Sequence, residues 1–360
     1  IQNASYRTAY NRVLRSTVTS DDGLGLHVMR GVSTNTVSNS YIQGSSAVYI
    51  SASSGAFTFG ASVLVATNTA GSALLMSEQS ADLTVTSSTI LGGTRGYGLN
   101  LSSGNASRII LSTNTVSRGR YGIYVGTQNA GTAVWITSNT VLVSTGPLDT
   151  YGLHFNGLVT GATVQNNDIF FRTRGNMAGG DAHGVYAQTA AGLVFDRNRV
   201  NNPGYITATG GAHNVWLTDV DDSVFTYNDI HSTGTTLSNA YLFRAGEGST
   251  GLRLRNNIFS SSFTTPSIAS RTVAITDVAS QSGFVSDYNE FHSSNSLLSF
   301  QWGAVAYQGV GNWAGATGGD AGSFAGNPRW FSVIAGDEDF HPLSSAGRFD
   351  PTSQSFVTVD

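Results

Sequence analysis

Four aspartates and one histidine are the residues of this sequence best suited to catalysis. Asp181 and His183 lie close together, and Asp219, Asp221 and Asp222 form an acidic cluster later in the chain. A glycosidase needs two carboxylates, one acting as the acid and the other as the base or nucleophile, at a separation set by the mechanism. These five residues are the candidate catalytic set. The alternative that we favour is a solvated acidic turn without a catalytic role. The aspartates also have the right chemistry for Ca²⁺, but the glycine-rich nonapeptide repeats that hold Ca²⁺ in some solenoids are absent.

A second set of residues could bind a ligand through aromatic rings. In a recurring four-residue pattern, a small residue precedes an aliphatic residue, any residue and another aliphatic residue. The third position of this pattern holds Tyr49, Tyr124, His154, Tyr186 and Trp216. If successive copies stack, these rings form a stripe on one outer face. Such rings could stack on sugars, contact another protein copy, or be covered by loops of the same chain. All three alternatives stay open at this point.

The strongest repeated motif is a polar turn followed by Asn, any residue and an aliphatic residue. Asn tolerates left-handed backbone conformation at a tight turn, and its amide can bond the amide of the next copy, so that the copies form a ladder. We therefore interpret this motif as structural. The predicted ladder consists of Asn114, Asn139, Asn167, Asn198, Asn228, Asn256 and Asn289. Further copies begin at Asn11 and Asn35, and weaker ones at Asn68 and Ser88.

The spacing of these motifs predicts the fold. Successive copies lie 20 to 33 residues apart, and a repeat of this size is typical of solenoids, propellers or arrays. Alternation of apolar and polar residues at period two dominates, which indicates strands, and long segments of helical period are missing. Two or three strands per copy describe a β-helix, and parallel crossovers are right-handed by default. We predict an all-β, right-handed parallel β-helix of about ten coils over residues 1–299, with a core roughly 50 Å long.

Composition narrows the function. Charged residues make up 11% of the 360 residues, against about 25% in typical soluble domains. The 18 basic residues are all Arg and the net charge is -4, so the chain lacks the basic surface that nucleic-acid binding needs. The absence of Cys excludes disulfides, Cys metal sites and thiol nucleophiles. We expect no cofactor and no metal.

The ends of the chain lead to an expectation about its processing. No apolar run reaches the length of a membrane helix, and no signal peptide precedes Ile1. We therefore expect a piece of a longer exported precursor, without direct membrane insertion. Residues 300–360 lose the repeat spacing and gather aromatic residues, with Trp313 inside a short helix. A solenoid needs its open end covered, so we expect this segment to be a C-terminal cap.

Several C-terminal motifs, together with the Asn units, carry a resemblance to a known group. These motifs are Asp287-Tyr288-Asn289, Trp313, Gly319-Asp320, Asn327-Pro328, Asp339 to Leu343 and Gly347-Arg348. The chain resembles bacterial right-handed parallel β-helix repeat proteins of the pectate-lyase-like superfamily, including large cell-surface proteins. In those, a similar segment leads to a Ser-Pro and Asp-Ala-Gly stretch that is missing here, which implies a truncated end. The resemblance implies the fold more strongly than any activity. A lyase of this kind would use a Lys or Arg base, and this chain has only Arg.

These observations lead to two expectations of different classes. The leading one is a non-enzymatic extracellular or cell-surface structural protein, such as an adhesin-like stalk or a subunit of a filament or sheath. Its partners would be copies of itself or other surface proteins, and its polar surface also allows a polysaccharide. The alternative is a carbohydrate-active enzyme or a glycan-binding β-helix. An enzyme requires carboxylates that converge in a cleft with perturbed pKa values.

Overall fold

The chain winds into stacked coils, and each coil contributes one strand to each of three parallel sheets. The computed structural model describes residues 9–31, 33–53, 55–77, 82–104, 106–144, 148–172, 180–203, 211–234, 240–263, 270–295, 298–333, 338–342, 348–350 and 355–357. The three sheets contain 11, 12 and 12 strands. Within each sheet, neighbouring strands come from consecutive coils and pair in parallel, apart from one antiparallel pair at the C-terminal end. The predicted parallel β-helix is therefore confirmed.

The first sheet consists of β1 (Ala9–Leu14), β4 (Ser33–Ser38), β7 (Phe57–Gly60), β10 (Leu83–Thr86), β13 (Arg108–Ser112), β16 (Ala133–Thr137), β19 (Thr163–Gln165), β22 (Val194–Asp196), β25 (Val224–Thr226), β28 (Arg253–Arg255) and β31 (Val285–Asp287). The second sheet consists of β2 (Thr17–Thr19), β5 (Tyr41–Gly44), β8 (Val63–Ala66), β11 (Thr89–Leu91), β14 (Thr115–Ser117), β17 (Thr140–Ser144), β20 (Asp168–Arg172), β23 (Arg199–Pro203), β26 (Asp229–Gly234), β29 (Ile258–Phe263), β32 (Glu290–Ser293) and β35 (Phe324–Ala325).

The third sheet consists of β3 (Leu26–Gly31), β6 (Val48–Ser53), β9 (Ser72–Ser77), β12 (Tyr97–Gly104), β15 (Tyr121–Gln128), β18 (Thr150–Thr160), β21 (Ala182–Ala191), β24 (Ala212–Asp221), β27 (Ala240–Gly246), β30 (Arg271–Ile275), β33 (Ser299–Trp302) and β34 (Val305–Gln308). The remaining elements are a 3₁₀ turn (Ala279–Gln281), helix α1 (Val310–Thr317), β36 (Trp330–Ser332), β37 (Asp339–Pro342), β38 (Arg348–Asp350) and β39 (Ser355–Val357).

The core is a set of apolar columns that run along the rod axis. Alternation along each short strand points every second side chain inward, and the parallel register stacks equivalent residues of successive coils. One such column of the first sheet contains Val85, Leu111, Ile136, Val164, Phe195, Phe225 and Leu254, all of them buried. Full burial of a side chain of this size contributes about 1.5 to 3 kcal/mol relative to exposure.

The small residue near the start of the third-sheet strands has a packing role. At Gly152 a Cβ atom would lie 2.4 Å from Cγ2 of Ile169 and 2.5 Å from the carbonyl oxygen of Gly184. Gly122 and Gly184 face the equivalent atoms of their own neighbouring coils. The strand therefore enters the third sheet so close to the core that only glycine fits without displacing its neighbours.

A continuous polar ladder lies inside the turns between the first and second sheets. The backbone N–H of each rung donates to the side-chain oxygen of the next rung, at 2.9 to 3.2 Å. The rungs are Ser16, Ser40, Ser62, Ser88, Asn114, Asn139, Asn167, Asn198, Asn228, Asn257, Asn289 and Ser323. The structure thus confirms the ladder but changes its membership and extends it with serines.

The prediction that Asn256 is a rung was wrong. Asn257 is buried and bonds both Asn228 and Asn289, whereas Asn256 is exposed. Two successive asparagines precede Ile258, and the sequence motif alone does not show which one faces inward. The assignment follows from the turn geometry, which places the first of the two outside.

The N-terminal motif copies were also placed in the wrong phase. Asn11 and Asn35 lie on β1 and β4 and bond each other (3.0 Å), and Asn68 lies in a turn between the second and third sheets. The rungs of those coils are serines, which fit coils of 22 to 26 residues. Ser88 was placed correctly.

The left-handed backbone conformation lies one residue before each rung from Ser16 to Asn289, and not at the rung Asn as predicted. We call this residue the pre-rung position. From Thr113 onward, φ at the pre-rung positions is between 52° and 57°. The residues there are Thr113, Ser138, Asn166, Arg197, Tyr227, Asn256 and Tyr288. The left-handed residue turns the chain sharply, which lets the following rung point into the core.

The C-terminal segment packs against two different parts of the rod. Helix α1 contains Trp313, as predicted. The Trp313 ring is fully buried and stacks on the ring of Phe300 (centroids 5.1 Å apart). Further along, Trp330 and Phe340 pack back along the second sheet, against Phe170 and His231. That a separate cap spans residues 300–360 stays a prediction, because part of this segment covers the side of the rod.

Candidate functional site

The predicted catalytic residues lie at opposite ends of neighbouring strands in the third sheet. Asp181 precedes β21 and His183 lies near its start, whereas Asp219 and Asp221 lie at the far end of β24, followed by Asp222. The two strands pair in register, and ten residues of β21 span up to about 30 Å at about 3.3 Å per residue. Glycosidase carboxylates lie about 5 to 10 Å apart. The fold therefore does not assemble the predicted set.

The three C-terminal aspartates of this set lie at the end of β24 and at the start of the turn that leads to the first sheet. Asp219 and Asp222 are exposed and have φ of 54° and 47°. Asp221 accepts hydrogen bonds from the backbone N–H (3.0 Å) and the hydroxyl (2.6 Å) of Thr250 in the next coil. This arrangement is that of a solvated structural turn.

Asp181 instead belongs to a cluster that the sequence did not indicate. Its backbone N–H donates to Oδ1 of Asp149 (2.9 Å), and its own Oδ1 accepts from the N–H of Gly211 (2.5 Å). Its Oδ2 lies 3.7 Å from Nε2 of His213. Asp149 and Asp181 therefore occupy equivalent positions one coil apart, and each carboxylate bonds the backbone of the following coil.

The electrostatics of this cluster favour an ionised Asp181. Burial alone would raise the pKa of Asp181, but the contact with His213 and the hydrogen bond from Gly211 outweigh it and lower the pKa to about 2. Burial lowers the pKa of His213 despite the nearby carboxylate, and burial lowers the pKa of His183 well below its usual value. Asp181 is therefore ionised near pH 7 and serves as a fixed negative charge and not as a proton donor.

Two columns of rings run along the outside of the third sheet. The edge column, at the start of the strands, contains Tyr97, Tyr121, Tyr151, His183, His213 and Tyr241. Its centroids are 4.4 to 5.4 Å apart, and the first four rings are within 11° of parallel. This column was not predicted from the sequence, although it has a simple signal: an aromatic residue or His directly precedes Gly98, Gly122, Gly152 and Gly184.

The mid-strand column contains the predicted stripe. Register places Tyr124, His154, Tyr186 and Trp216 in consecutive coils. Tyr49 occupies the same column but is separated from Tyr124 by the Leu75 and Asn100 coils, and its ring stacks on His27. The predicted common face is therefore present, whereas the predicted binding role of these residues stays a prediction.

Contacts between neighbouring rings cover much of the surface of both columns. Tyr124 and Tyr186 meet His154 edge to face, with centroids 5.1 and 5.0 Å apart. Burial of His154, only 7% exposed, lowers its pKa to about 4. The guanidinium of Arg244 lies 3.9 Å from the centroid of Trp216. Sugar stacking requires a free ring face, and the ring contacts within these columns reduce the ring surface that a sugar could reach.

Comparison with known proteins supports the fold. A family model described as "Right handed beta helix region" matches residues 2–169. The fold of this chain is a right-handed parallel β-helix. A solved structure, the Dettilon tailspike protein (gp208), is similar with a TM-score of 0.41 and 12% sequence identity. The similarity covers 91% of this chain and 64% of the tailspike chain, so the β-helix protein spans less than two thirds of the tailspike's length. This similarity is too low to indicate function. No curated protein sequence matches the chain.

Metal sites and membrane-spanning helices are both missing from the described residues. Within them, no group of three or more His, Cys, Asp or Glu side chains is placed to hold a metal ion. The helices in the described part of the chain are too short and too polar for any of them to span a bilayer.

Proposed function

We propose that this β-helix protein is a non-catalytic structural rod of an extracellular or cell-surface assembly. The observation that carries the proposal is the ladder, in which every rung from Ser16 to Ser323 bonds the next. Its expected partners are copies of the same chain or other surface proteins, attached at a fixed distance from one another.

The ladder gives the rod mechanical continuity. Each asparagine rung also uses its Nδ2 to bond the preceding coil, as Asn198 does to the carbonyl of Val164 (2.9 Å). Buried hydrogen bonds of this kind are costly to leave unmade, and chains of them reinforce one another. Each coil of a solenoid contacts only its neighbours, so stiffness along the axis depends on such coil-to-coil bonds.

The candidate acidic residues support a non-catalytic role. The carboxylates of Asp149 and Asp181 each accept a backbone N–H of the next coil, and the bond from Gly211 favours the ionised form of Asp181. A glycosidase requires one carboxylic acid that keeps its proton near neutral pH. The pKa of about 2 for Asp181 is the opposite of what a proton donor needs.

A carbohydrate-active enzyme is the second candidate function. Asp149 and Asp181 are one coil apart, roughly 4.8 Å along the axis, close to the separation of about 5 to 5.5 Å in retaining glycosidases. The neighbouring His183 and His213 have lowered pKa values, and perturbed groups cluster at functional sites. This geometry makes Asp181 the residue to test.

A turnover assay separates the two candidates. The protein would be incubated with a panel of soluble neutral and acidic polysaccharides, and new reducing ends and unsaturated sugars would be measured. A structural rod releases neither above the buffer background, and Asp181→Asn behaves identically. Turnover that disappears in Asp181→Asn and in Asp149→Asn, while both variants stay folded by circular dichroism, would overturn the structural proposal and establish the enzyme.

A further inference from the structure

The pre-rung positions of the C-terminal half carry an exposed row of large polar side chains. Consecutive coils place Arg197, Tyr227, Asn256 and Tyr288 directly before buried rungs, and we call this row the pre-rung ridge. Because the rungs are bonded coil to coil, neighbouring members of the ridge are about 4.8 Å apart along the axis. The two tyrosines, separated by Asn256, are therefore roughly 10 Å apart.

The two tyrosines of the ridge have a left-handed backbone conformation, which is unfavourable for a bulky residue. Their φ values are 55° and 57°, and a left-handed conformation is unusual for a bulky residue. Most earlier coils use a small residue at this position, namely Asn39, Ala61, Ser87, Thr113, Ser138 and Asn166, and Arg15 is the exception. Tyr227 is 55% exposed and Tyr288 is 59% exposed, so core packing gives no reason for the large side chains. Strained residues whose side chains lie outside the core point to function.

Neighbouring side chains hold Tyr227 and Arg197 in position. The guanidinium carbon of Arg197 is 5.7 Å from the Tyr227 centroid, and Arg197 also pairs with Asp196 (3.1 Å). Asp196 is in turn fixed by hydrogen bonds from Gln165 (2.9 Å) and Thr226 (2.8 Å). This end of the ridge is therefore organised before any ligand binds.

The ring of Tyr288 rests on the terminal segment. A Cβ atom on Gly322 would lie 2.6 Å from Cε1 of Tyr288, so the absence of a side chain there makes room for the ring. Oδ1 of Asp287 accepts from the backbone N–H of both Tyr288 (2.9 Å) and Gly322 (2.7 Å). The bond from Gly322 fixes the terminal segment against the coil that carries Asp287 and Tyr288.

We propose that the pre-rung ridge binds an extended, uncharged polysaccharide that lies along the rod axis. The rings of Tyr227 and Tyr288 would stack on alternate sugar rings, while Asn256 and Arg197 would donate hydrogen bonds to sugar hydroxyls between and beside them. The charges around the ridge balance, since Asp196 pairs with Arg197 and the exposed Arg255 lies in register with Asp287. This balance favours a neutral ligand over an acidic one. The ridge adds a ligand to the structural rod and requires no catalysis.

Affinity electrophoresis tests this proposal with defined probes. The full chain would be run in native gels containing soluble β-glucan, galactomannan or dextran, and hyaluronan as the acidic counterpart. We expect retardation in at least one uncharged gel and none in hyaluronan. In the double variant Tyr227→Asn with Tyr288→Asn we expect affinity to fall at least tenfold. Asn suits the left-handed conformation and occurs naturally at Asn166 and Asn256, so this variant should fold normally.

A matched aromatic substitution serves as the control. Trp135 is 37% exposed on the first sheet, and Thr163 takes the same place in the next coil, so Trp135→Thr should leave binding unchanged. Three results would overturn the proposal: no retardation in any uncharged gel, retardation by hyaluronan alone, or equal binding by wild type and the double variant. Binding that is lost in Tyr124→Ala with Tyr186→Ala, and kept in the ridge variant, would place the glycan on the third sheet and also overturn it.

Discussion

The backbone N–H of Asn289 donates a 2.9 Å hydrogen bond to the hydroxyl of Ser323. Through this bond the terminal segment supplies the last rung of the ladder. Asp320, which is buried, accepts from the hydroxyls of Ser323 and Ser286 and from Nε1 of Trp313 (2.6 Å). One carboxylate thus joins the end of the ladder to the buried tryptophan of α1.

Replacing Asp320 should loosen the C-terminal end of the rod. Asp320→Ala leaves the buried Trp313 N–H, the buried Ser286 hydroxyl and the half-buried Ser323 hydroxyl without their acceptor, and each buried group of this kind costs about 1 to 3 kcal/mol. We expect a loss of about 3 kcal/mol or more. Asp320→Asn keeps one acceptor oxygen and should lose less. Thermal unfolding followed by circular dichroism would measure both, and equal stability of Asp320→Ala and wild type would contradict the role given to this carboxylate.

A substitution at a middle rung should be costly in proportion to the bonds that it removes. Asn198→Ala leaves both the N–H of Asn167 and the carbonyl of Val164 unpaired in the core, which predicts a loss of about 3 kcal/mol. Asn198→Ser keeps one acceptor, as serine rungs do in the N-terminal coils, and should lose less. The control is Asn256→Gly, which should be neutral or slightly stabilising because φ is 56° there. Similar losses at Asn198 and Asn256 in denaturant titrations would contradict the corrected ladder.

A methyl group at the entrance to the third sheet should be destabilising. In Gly152→Ala the new Cβ atom meets the Gly184 carbonyl oxygen at 2.5 Å, and overpacking of this kind costs about 1 to 3 kcal/mol. Gly311 lies in α1, where a methyl group on its Cα would have no neighbouring atom within 4 Å, so Gly311→Ala should stabilise by up to about 1 kcal/mol. The melting temperatures of the two variants should move in opposite directions. A shift of the same sign in both would show that the close approach at Gly152 is not limiting.

Stability should fall in acid because of the buried histidines. Burial lowers the pKa of His154 to about 4, below its value of about 6.5 in the unfolded chain. The unfolded state therefore binds more protons between these values, and stability is lost as the pH falls from about 6.5 to about 4, by roughly 3 kcal/mol for this residue. A phenylalanine ring also fits this column of rings, so His154→Phe should remove the contribution of His154 to the loss of stability in acid.

Urea unfolding at several pH values measures this loss, with His27→Phe as the control. His27 lies in the same column but is much less buried, so its replacement should change the pH dependence less. An unaltered slope in His154→Phe would contradict the assigned protonation state. Asp181, with a lowered pKa of about 2, adds a separate loss only below about pH 4.

Repetition in the sequence was enough to predict the overall fold. The Asn motif recurs at the coil length, and the strand pattern fixes which residues of each coil face inward, so the parallel β-helix and the common face of Tyr124 and Tyr186 followed from spacing alone. The phase of the ladder was harder to predict. At Asn256 and Asn257 the motif offers two asparagines, and only the left-handed turn decides which one points inward.

The candidate sites were predicted less well, because side chains far apart in sequence meet only after the coils are stacked. Asp181 was grouped with Asp221 because both are acidic and one repeat apart, yet the strand between them separates them along the third sheet. Its actual neighbour, Asp149, stands out in no motif. Tyr227 and Tyr288 were visible in the sequence, but their exposure and their left-handed backbone come from the turn geometry.

The rigidity of the rod is the property that the proposed function needs most, and a distance measurement between two spin labels tests it directly. The chain contains no Cys, so Asn39→Cys with Asn256→Cys provides two unique labelling sites at exposed pre-rung positions. The rung-to-rung bonds between these coils predict a separation of about 38 Å, from about eight steps of about 4.8 Å each. Pulsed electron paramagnetic resonance should give one narrow distribution near that value. A broad distribution, or several distances, would contradict a rigid rod.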